Sequence, residues 1–300
     1  MEFKALKYFL TAAREGSITK AANRLGLTQP NLSRQINMLE RDIGKKLFIR
    51  SNYKIELTSD GALLKKRAEE IIDMIEKTRD EFKSSDKIIA GNIYIGTAET
   101  ESSIELISKI IKETQKDYPN IMYHIYSGIY GDVIERLDKG LLDFGILIES
   151  ADLSLYDYVD IPTSEVWGIL ARRDSKIAKK KFIEKKDLIN LPIILPTTIV
   201  KNKYHNNKFL EWFDDDIEKL NIVLTRNLIY SSMVMVKEGL GYSLTLNNIN
   251  TKEVCFIPLK PKLKPRTNIV WKKNQVFSPA GKIFLDRIYN SFSAKSDSSK

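Results

Sequence analysis

A short helix that ends at Gly26, followed almost at once by another helix, constrains the fold of this chain more than any other sequence feature. Ser17 is placed to cap the first of these helices and Thr28 the second, because a hydroxyl oxygen can accept a hydrogen bond from an N–H group of the opening turn. A glycine just past a helix end adopts the left-handed conformation at little steric cost. The small residues Ala21 and Ala22 allow the two helices to cross closely. The pattern predicts a helix-turn-helix unit.

The helix that follows Thr28 has two contrasting faces. Apolar residues recur at a helical period and predict a buried stripe, formed by Leu32, Ile36, Leu39 and Ile43. The opposite face and the N-terminal end are polar, and such side chains reach base edges and phosphates when a helix lies in the major groove. The candidate DNA-contacting residues of this unit are Ser17, Thr28, Gln29, Pro30, Asn31, Ser33, Arg34 and Asn37. A three-helix bundle whose polar face is only solvated is the alternative interpretation.

Two short β-prone runs follow, one on either side of a polar turn. Such runs predict a β-hairpin, which would form a wing beside the helices. Arg50, Asn52 and Lys54 are placed to touch a DNA backbone. Leu47 and Phe48 are instead expected to fill the core of the helical bundle.

Positive charge is concentrated at the N-terminal end of the chain. The net charge is +9, and residues 1–60 hold 11 Lys and Arg against six Asp and Glu. The first fifth of the chain therefore carries more than half of the excess. A basic N-terminal segment suits nucleic-acid binding.

Several classes of protein are disfavoured by what the sequence lacks. The sequence contains no stretch of about 18 apolar residues, so no membrane-spanning helix is predicted. The first residues lack the apolar core of a signal peptide. We therefore expect a cytoplasmic protein with no membrane partner. One cysteine, Cys255, excludes an intrachain disulfide, and with the distant His124 and His205 it forms no metal-ligand cluster. No pairing of a nucleophile with a base is evident. We expect no enzyme activity, no metal and no cofactor.

A long, charged helix with one apolar seam is predicted after Thr58, with Ser59 or Asp60 as its cap. The seam residues alternate at spacings of four and three, a heptad pattern, and are Leu64, Ala68, Ile71, Ile75, Thr78 and Phe82. A helix with a single apolar seam needs a partner, which is either a second chain or the N-terminal domain of the same chain. Residues 84–86 are expected to form a hinge.

Strand and helix patterns alternate through the rest of the chain. Strands are predicted at 91–96, 121–126 and 144–148, with helices between them. This order implies a parallel, doubly wound sheet, which binds ligands beyond the carboxyl ends of its strands.

A second lobe is predicted from residue 162. Its predicted strands are 166–170, 192–195, 222–224 and 242–246, and its helices lie around 207–213 and 231–239. The chain then returns to the first lobe with a strand at 267–271 and a helix at 279–292. Two crossings between the lobes produce a hinged pair with a cleft.

Hydroxyl and acidic side chains gather at the strand ends that would face this cleft. The candidate effector-binding residues are Thr97, Glu99, Thr100, Glu101, Ser102, Ser127, Gly128, Glu149, Pro196, Thr197, Thr198 and Thr245. Hydroxyls and the free N–H groups of helix N-termini suit a carboxylate, which indicates a small organic anion or metabolite. Glu99, Glu101 and Glu149 would repel an anion unless they point away or meet a cationic part of the ligand. Helix capping is the alternative role for each candidate.

The segment from Leu6 to Gly61 resembles the DNA-binding domain of LysR-type transcriptional regulators. The resemblance is carried by Phe9, Ser17, Ala21-Ala22, Leu25, Thr28-Gln29-Pro30, Leu32-Ser33, Ile36, Leu39-Glu40, Gly44, Leu47-Phe48, Arg50, Leu57-Thr58 and Gly61. The runs 140–146 and 238–242 resemble the effector domain of the same family and, more distantly, periplasmic solute-binding proteins. The resemblance implies that Gln29, Pro30, Ser33 and Arg34 approach DNA and that the linker helix pairs two chains.

We therefore expect a transcriptional regulator that binds double-stranded DNA sequence-specifically and is controlled by a small-molecule effector. It is expected to be a homodimer or homotetramer and to act with the transcription machinery. The expected architecture is an all-α winged helix-turn-helix domain joined by a long linker helix to an α/β, two-lobed, periplasmic-binding-protein-like effector domain. The expected ranges are 1–58 for the winged helix, 59–87 for the linker and hinge, 88–161 with 266–292 for lobe I, 162–265 for lobe II and 293–300 for a flexible tail. A solute-binding receptor and a cytosolic enzyme are the alternatives.

Overall fold

The computed structural model divides the chain into two compact units, Met1–Lys83 and Ser84–Lys300. It describes residues 1–50, 54–82, 89–98, 100–149, 152–162, 164–201, 208–213, 217–246 and 249–293. The candidate residues Asn52 and Glu99, and positions 294–300 of the expected tail, lie outside these ranges.

The N-terminal unit consists of three helices, a hairpin and a long fourth helix. Its elements are α1 (Phe3–Glu15), α2 (Ile18–Leu25), α3 (Gln29–Ile43), β1 (Phe48–Arg50), β2 (Ile55–Leu57) and α4 (Ser59–Glu81). β1 pairs antiparallel with β2, which gives the predicted wing. The apolar stripe of α3 enters the core as predicted, since Leu32, Ile36 and Leu39 are buried and Ile43 packs against the same cluster.

Left-handed glycines end the first three helices of this unit. Gly16, Gly26 and Gly44 have φ values of 60°, 64° and 72°, which a glycine adopts without the clash that a β-carbon would cause. Ser17 caps α2 as predicted, because its hydroxyl accepts a 3.4 Å hydrogen bond from the amide of Lys20. Thr28 occupies the N-cap position of α3 without a side-chain capping bond, so only the position of this cap is confirmed.

The start of α4 is joined to the wing through Thr58. The Thr58 hydroxyl accepts a 2.9 Å hydrogen bond from the amide of Gly61, and its own amide donates to the carbonyl oxygen of Leu47 at 3.0 Å. Thr58 therefore caps α4, and the prediction of Ser59 or Asp60 as the cap is wrong. The reason is that the wing orients Thr58 before the helix begins.

The predicted seam of α4 divides between two environments. Leu64 and Ala68 pack into the core of the N-terminal unit, where Ile72 joins them. Ile71 and Phe82 are exposed, at 37% and 85% of their accessible surface. The first part of the seam therefore packs within the core of the N-terminal unit. The seam residues do not form one continuous surface that faces a single partner.

The C-terminal unit contains two five-stranded sheets. Its elements in chain order are β3 (Gly91–Thr97), α5 (Glu101–Asp117), β4 (Ile121–Ser127), α6 (Tyr130–Asp138), β5 (Phe144–Ile148), β6 (Tyr156–Ile161), β7 (Gly168–Arg172), α7 (Lys185–Leu188), β8 (Pro192–Pro196), α8 (Thr197–Lys201), α9 (Lys208–Trp212), β9 (Asn221–Arg226), α10 (Ile229–Lys237), β10 (Tyr242–Thr245), β11 (Val254–Pro258), β12 (Thr267–Lys272) and α11 (Pro279–Ser293). Short 3₁₀ turns occupy Lys176–Lys179 and Ile217–Lys219.

The first sheet, with its helices, is called lobe I and has the strand order β4-β3-β5-β12-β6. β3 is parallel to β4 and β5, as predicted. β12 runs antiparallel to both β5 and β6, so the sheet is mixed, and its β4-β3-β5 part is the parallel arrangement that was predicted. β12 enters from the opposite direction because the chain is returning from the second sheet.

The second sheet, called lobe II with its helices, has the order β11-β7-β10-β8-β9. β8 is parallel to both β9 and β10, whereas β7 is antiparallel to both β10 and β11. The first strand begins at Gly168 and not at Val166. Trp167, just before it, donates its amide to the carbonyl of Leu263 at 2.9 Å instead of joining the strand ladder.

The chain passes between the lobes twice, after β6 and again between β11 and β12. The final helix α11 then packs against α5 and β3 of lobe I, as predicted. Its Phe284 and Ile288 are fully buried in the lobe I core.

Candidate functional sites

The N-terminal part of α3 presents polar side chains above a buried apolar side. Five of the candidates in the helical unit are exposed, namely Thr28, Gln29, Pro30, Asn31 and Arg34, and three are half-buried, namely Ser17, Ser33 and Asn37. We call the residues from Thr28 to Asn37 that are not buried the polar face of α3. The opposite side holds Leu32 and Ile36 with no exposed surface. The helix can therefore contact a partner through the polar face without losing its core contacts.

The wing candidates are only partly described. Arg50 ends β1, but its side chain, like the whole of Asn52, lies outside the described part. Lys54 precedes β2 and is exposed. The amide of the next residue, Ile55, donates to the carbonyl of Gly16 at 3.0 Å, which places Lys54 beside the turn between α1 and α2.

Glu40 joins α3 to the start of the wing. Its side chain is 3% exposed and accepts hydrogen bonds from the amides of Leu47 and Phe48 at 2.9 Å and 3.3 Å and from the Lys46 ammonium at 2.8 Å. Burial alone would raise the pKa of Glu40, but these bonds outweigh it and lower the pKa below the ordinary value. No local sequence pattern indicates this role of Glu40, because the amides that it binds lie seven and eight residues further along the chain.

This arrangement is suited to a DNA groove. An α-helix with its side chains is about 10–12 Å wide, and the major groove is about 12 Å wide. The polar face of α3 offers Gln29 and Asn31 as amides and Arg34 as a cation, the side-chain types that form bidentate bonds with adenine and guanine.

A cavity of about 220 Å³ opens between lobe I and lobe II. Apart from Trp167, which precedes β7, its lining residues lie at or just beyond the carboxyl ends of β3, β4, β5, β8, β9 and β10. This is where ligands are expected to bind in open α/β sheets. We call this cavity the interlobe cleft.

Half of the predicted effector residues reach the interlobe cleft. Those in its lining are Thr100, Gly128, Glu149, Pro196, Thr198 and Thr245. Those that the structure describes but places outside the lining are Thr97, Glu101, Ser102, Ser127 and Thr197. Thr97 is 1% exposed at the end of β3, because strand alternation turns its side chain toward the core, whereas Glu101 is exposed in the first turn of α5.

The N-terminus of α5 is already provided with hydrogen-bond acceptors. Thr100 accepts a bond from the amide of Ser103, and the Ser103 hydroxyl accepts one from the amide of Thr100, which is a capping box. The Glu165 carboxylate accepts a 3.0 Å bond from the amide of Ser102. The predicted use of Ser102 for an anionic ligand therefore competes with a carboxylate from the protein itself.

Arg226, at the end of β9, is a cleft residue that the sequence analysis missed. Its Nη2 donates to the carbonyl of Leu244 at 2.9 Å, while its Nε is buried without a hydrogen-bond partner among the described residues. Burial lowers the pKa of Arg226 to about 10, so the guanidinium is still a cation at neutral pH. In the sequence this arginine looks like any charge at a strand end, since the walls that bury it come from residues far along the chain.

Glu149 faces the same cleft from lobe I. It has a φ of 52°, an uncommon conformation for a residue with a β-carbon, and its backbone amide donates to the carbonyl of Arg266 at 2.8 Å. Burial raises the pKa of Glu149, while the Lys208 charge and the amide of Arg266 oppose that rise. The Trp167 indole lies close enough to Glu149 to favour the ionised carboxylate. Its buried Nε1 makes no hydrogen bond with a described residue.

Two further classes of site are absent from the described residues. No group of three or more His, Cys, Asp and Glu side chains among them is arranged to hold a metal ion. Within the same residues, no helix has the length and apolar character needed to cross a membrane. Cys255 is buried, and burial raises the pKa of its thiol, as expected of a packing residue.

Two family models match the chain and together span most of it. Residues 3–62 match the family described as bacterial regulatory helix-turn-helix protein, lysR family, and residues 89–293 match the LysR substrate binding domain.

Curated relatives match over most of their length. The HTH-type transcriptional regulator YvbU of Bacillus subtilis is 29% identical over 245 residues, which is 81% of each chain. The HTH-type transcriptional activator CmpR of Synechocystis is 25% identical over 290 residues, covering 94% of this chain and 92% of CmpR.

Solved structures give the same architecture. Full-length CbnR, in a crystal structure with its target DNA, superposes with a TM-score of 0.72 at 18% identity, covering 97% of this chain and 100% of that one. At this identity the likeness concerns the fold alone.

Proposed function

The chain belongs to the LysR family of bacterial transcriptional regulators, and from that premise we propose that it reads its operator with the polar face of α3 and responds to a small effector held in the interlobe cleft. The observation that carries the DNA-binding part is the exposure of Gln29, Asn31 and Arg34 above a fully buried Leu32 and Ile36. The wing residues Arg50, Asn52 and Lys54 are proposed as contacts to the DNA backbone.

The cleft assignment rests on its position. Six of the residues predicted from the sequence line the interlobe cleft, and the lobe ranges proposed here, 88–161 with 266–292 and 162–265, follow the two sheets. An effector that favours one arrangement of the lobes would shift the population toward it, and so change DNA binding.

We also propose a homodimer or homotetramer, and exposed apolar residues on α4 and directly after it support this. Leu63, Ile71 and Phe82 are 60%, 37% and 85% exposed, and exposed apolar surface of this kind marks interaction sites. Sedimentation equilibrium of the full chain should give a mass of two or four chains. A monomer of 34.5 kDa at micromolar concentration would contradict the proposal.

A regulator of this kind acts on DNA and with the transcription machinery, so we place the protein in the cytoplasm and assign it no catalytic role. The basic helix-turn-helix unit, which matches a DNA-binding family model, disfavours both a solute-binding receptor and an enzyme as the primary function.

Selection from a pool of random DNA duplexes tests the proposal directly. The full chain should enrich duplexes that carry two related half-sites, centred about 10 base pairs or a multiple of that apart, because paired recognition helices contact one face of DNA. Enrichment of no sequence above the starting pool, at a salt concentration where the chain is folded, would overturn the proposed function.

A further inference from the structure

We propose that the effector is a small organic monocarboxylate whose carboxylate is bound by Arg226 and whose apolar body lies against the walls of the interlobe cleft. This inference rests on the proposed function of the cleft as the effector site, and it names the chemical class of the ligand and the residue that selects it.

Among the described residues, Arg226 has few of the partners that a guanidinium can bind. A guanidinium has five N–H donors in a planar fork that matches a carboxylate. Within the described residues, Arg226 makes one hydrogen bond, to the carbonyl of Leu244, and it has no carboxylate at ion-pair distance. A buried cation without a counter-charge destabilises the folded protein. An anionic ligand would supply the missing charge and the missing acceptors together.

The backbone next to Arg226 also favours an anionic ligand. The helix α10 begins at Ile229, three residues further on, and has no acidic residue in its first turn and no side-chain cap. Ile229 and Tyr230 of this first turn line the cleft. The first N–H groups of a helix lack intrahelical acceptors and favour negative charge. The helix end therefore adds to the positive field of Arg226, whereas the N-terminus of α5 is occupied by Glu165.

The volume of the interlobe cleft and its apolar lining indicate the size of the ligand. Ile148, Trp167, Ile199 and Leu246 contribute apolar surface to the cleft. A dry apolar cavity of about 150 Å³ is large enough for benzene, and this cavity measures about 220 Å³. It therefore suits an apolar body of about six carbon atoms together with one carboxylate.

Glu149 limits the ligand to one carboxylate. It belongs to lobe I, whereas Arg226 belongs to lobe II, and both line the cleft. A second carboxylate near Glu149 would be repelled, while a hydroxyl or amine could donate a hydrogen bond to it. In the described lining of the cleft, the carboxylate of Glu149 and the guanidinium of Arg226 therefore stand on different lobes.

The test uses the full chain and four named acids, benzoate, 4-hydroxybenzoate, phenylacetate and hexanoate, each compared with its own neutral amide by isothermal titration calorimetry. At least one acid should bind saturably, and at least tenfold more tightly than its amide. The dicarboxylate terephthalate should bind at least tenfold more weakly than benzoate. Saturable binding by none of the four acids, or equal binding of each acid and its amide, would overturn the proposal.

Variants then assign the contact to Arg226. Arg226→Gln should weaken binding of the acid at least tenfold and leave the amide unchanged, whereas Arg226→Lys, which keeps the charge and loses the planar fork, should lie between. Arg172→Gln is the matched control, because Arg172 belongs to the same lobe but is exposed and paired with Asp174. Unchanged affinity for the acid in Arg226→Gln would contradict the assignment.

Two further readouts separate this inference from its premises. If Arg226 only supported the fold, Arg226→Gln would lower the melting temperature of the ligand-free chain, whereas removal of an unpaired buried cation should leave it unchanged or raise it. The ligand-free variant should also bind a selected duplex as the parent chain does. If none of the acids binds while duplex binding persists, only the proposed carboxylate ligand is refuted. If the parent chain binds no duplex, the proposed function is refuted.

Discussion

The carboxylate of Glu40 accepts a 2.9 Å hydrogen bond from the backbone amide of Leu47. This bond connects the C-terminal half of α3 to the residue that leads into the wing. The Glu40 side chain is 3% exposed, so a buried carboxylate helps to fix the relative position of the two parts of the proposed DNA-binding surface.

Loss of this carboxylate should destabilise the N-terminal unit. Glu40→Ala leaves the amides of Leu47 and Phe48 without their acceptor, and an unsatisfied buried donor costs about 1–3 kcal/mol. Urea denaturation of the full chain should show the transition of the N-terminal unit at lower urea. Glu56→Ala, an exposed carboxylate on β2, is the control and should change that transition by less than about 0.5 kcal/mol.

The same carboxylate predicts a dependence of stability on pH. The hydrogen bonds lower the pKa of Glu40 in the folded chain below its ordinary value of 4.5. A lowered folded-state pKa gives stabilisation that is complete above the ordinary pKa and is lost as the pH falls through the folded-state value. Denaturation between pH 7 and pH 3 should therefore reveal a stability loss that is smaller in Glu40→Gln. An identical acid dependence in both proteins would contradict this role.

Gly61 should not tolerate a β-carbon. An added Cβ would lie 2.1 Å from the carbonyl oxygen of Leu47, which already accepts the amide of Thr58. Overpacking of this kind costs about 1–3 kcal/mol, and each kcal/mol lowers the melting temperature of a unit this size by about 4–8 °C. Calorimetry of Gly61→Ala measures the shift.

Gly131→Ala is a suitable comparison for this substitution. Gly131 lies within α6 and has no atom within 4 Å of its added Cβ. Alanine has the higher helix propensity by about 1 kcal/mol, so this variant should be as stable as the parent or more so. A melting temperature lowered equally by both substitutions would refute the steric explanation.

Lys54 should contribute to DNA binding without selecting a sequence. It is exposed next to β2, where a wing meets the phosphate backbone. Lys54→Ala should weaken binding to the selected duplex and to an unrelated duplex by similar factors, and it should reduce the slope of log K against log salt by about one. Fluorescence anisotropy at several salt concentrations gives that slope. A loss confined to the selected duplex would instead indicate a base contact.

Most helices and the parallel strands could be predicted because their burial follows a simple period, whereas the short helices α7 and α8 were not predicted. The stripe Leu32, Ile36 and Leu39 and the apolar run Phe144–Ile148 are both direct consequences of the fold. The two strands that were not predicted, β6 and β11, lie at sheet edges. β6 carries exposed charged residues such as Asp157 and Asp160, which weaken the strand pattern.

The two proposed functional surfaces differ in how far apart their residues lie in the sequence. The polar face of α3 is local, so the sequence could give its residues. The interlobe cleft is assembled from strand ends separated by up to about 150 positions, and residues such as Arg226 enter it through topology that no local pattern encodes. Ser102 was predicted there because it follows a strand, but its amide binds Glu165, 63 positions away.

The most direct test of the account is the affinity of Arg34→Ala for a duplex selected by the parent chain. Arg34 is exposed on the polar face of α3, and a bidentate contact between arginine and a base is worth about 1–3 kcal/mol of discrimination. We predict an affinity for the selected duplex at least tenfold weaker and a melting temperature unchanged. Arg67→Ala, which removes an exposed arginine paired with Glu70 on α4, should bind as the parent does. Equal affinities of the parent and Arg34→Ala would contradict the assignment of α3 as the recognition helix.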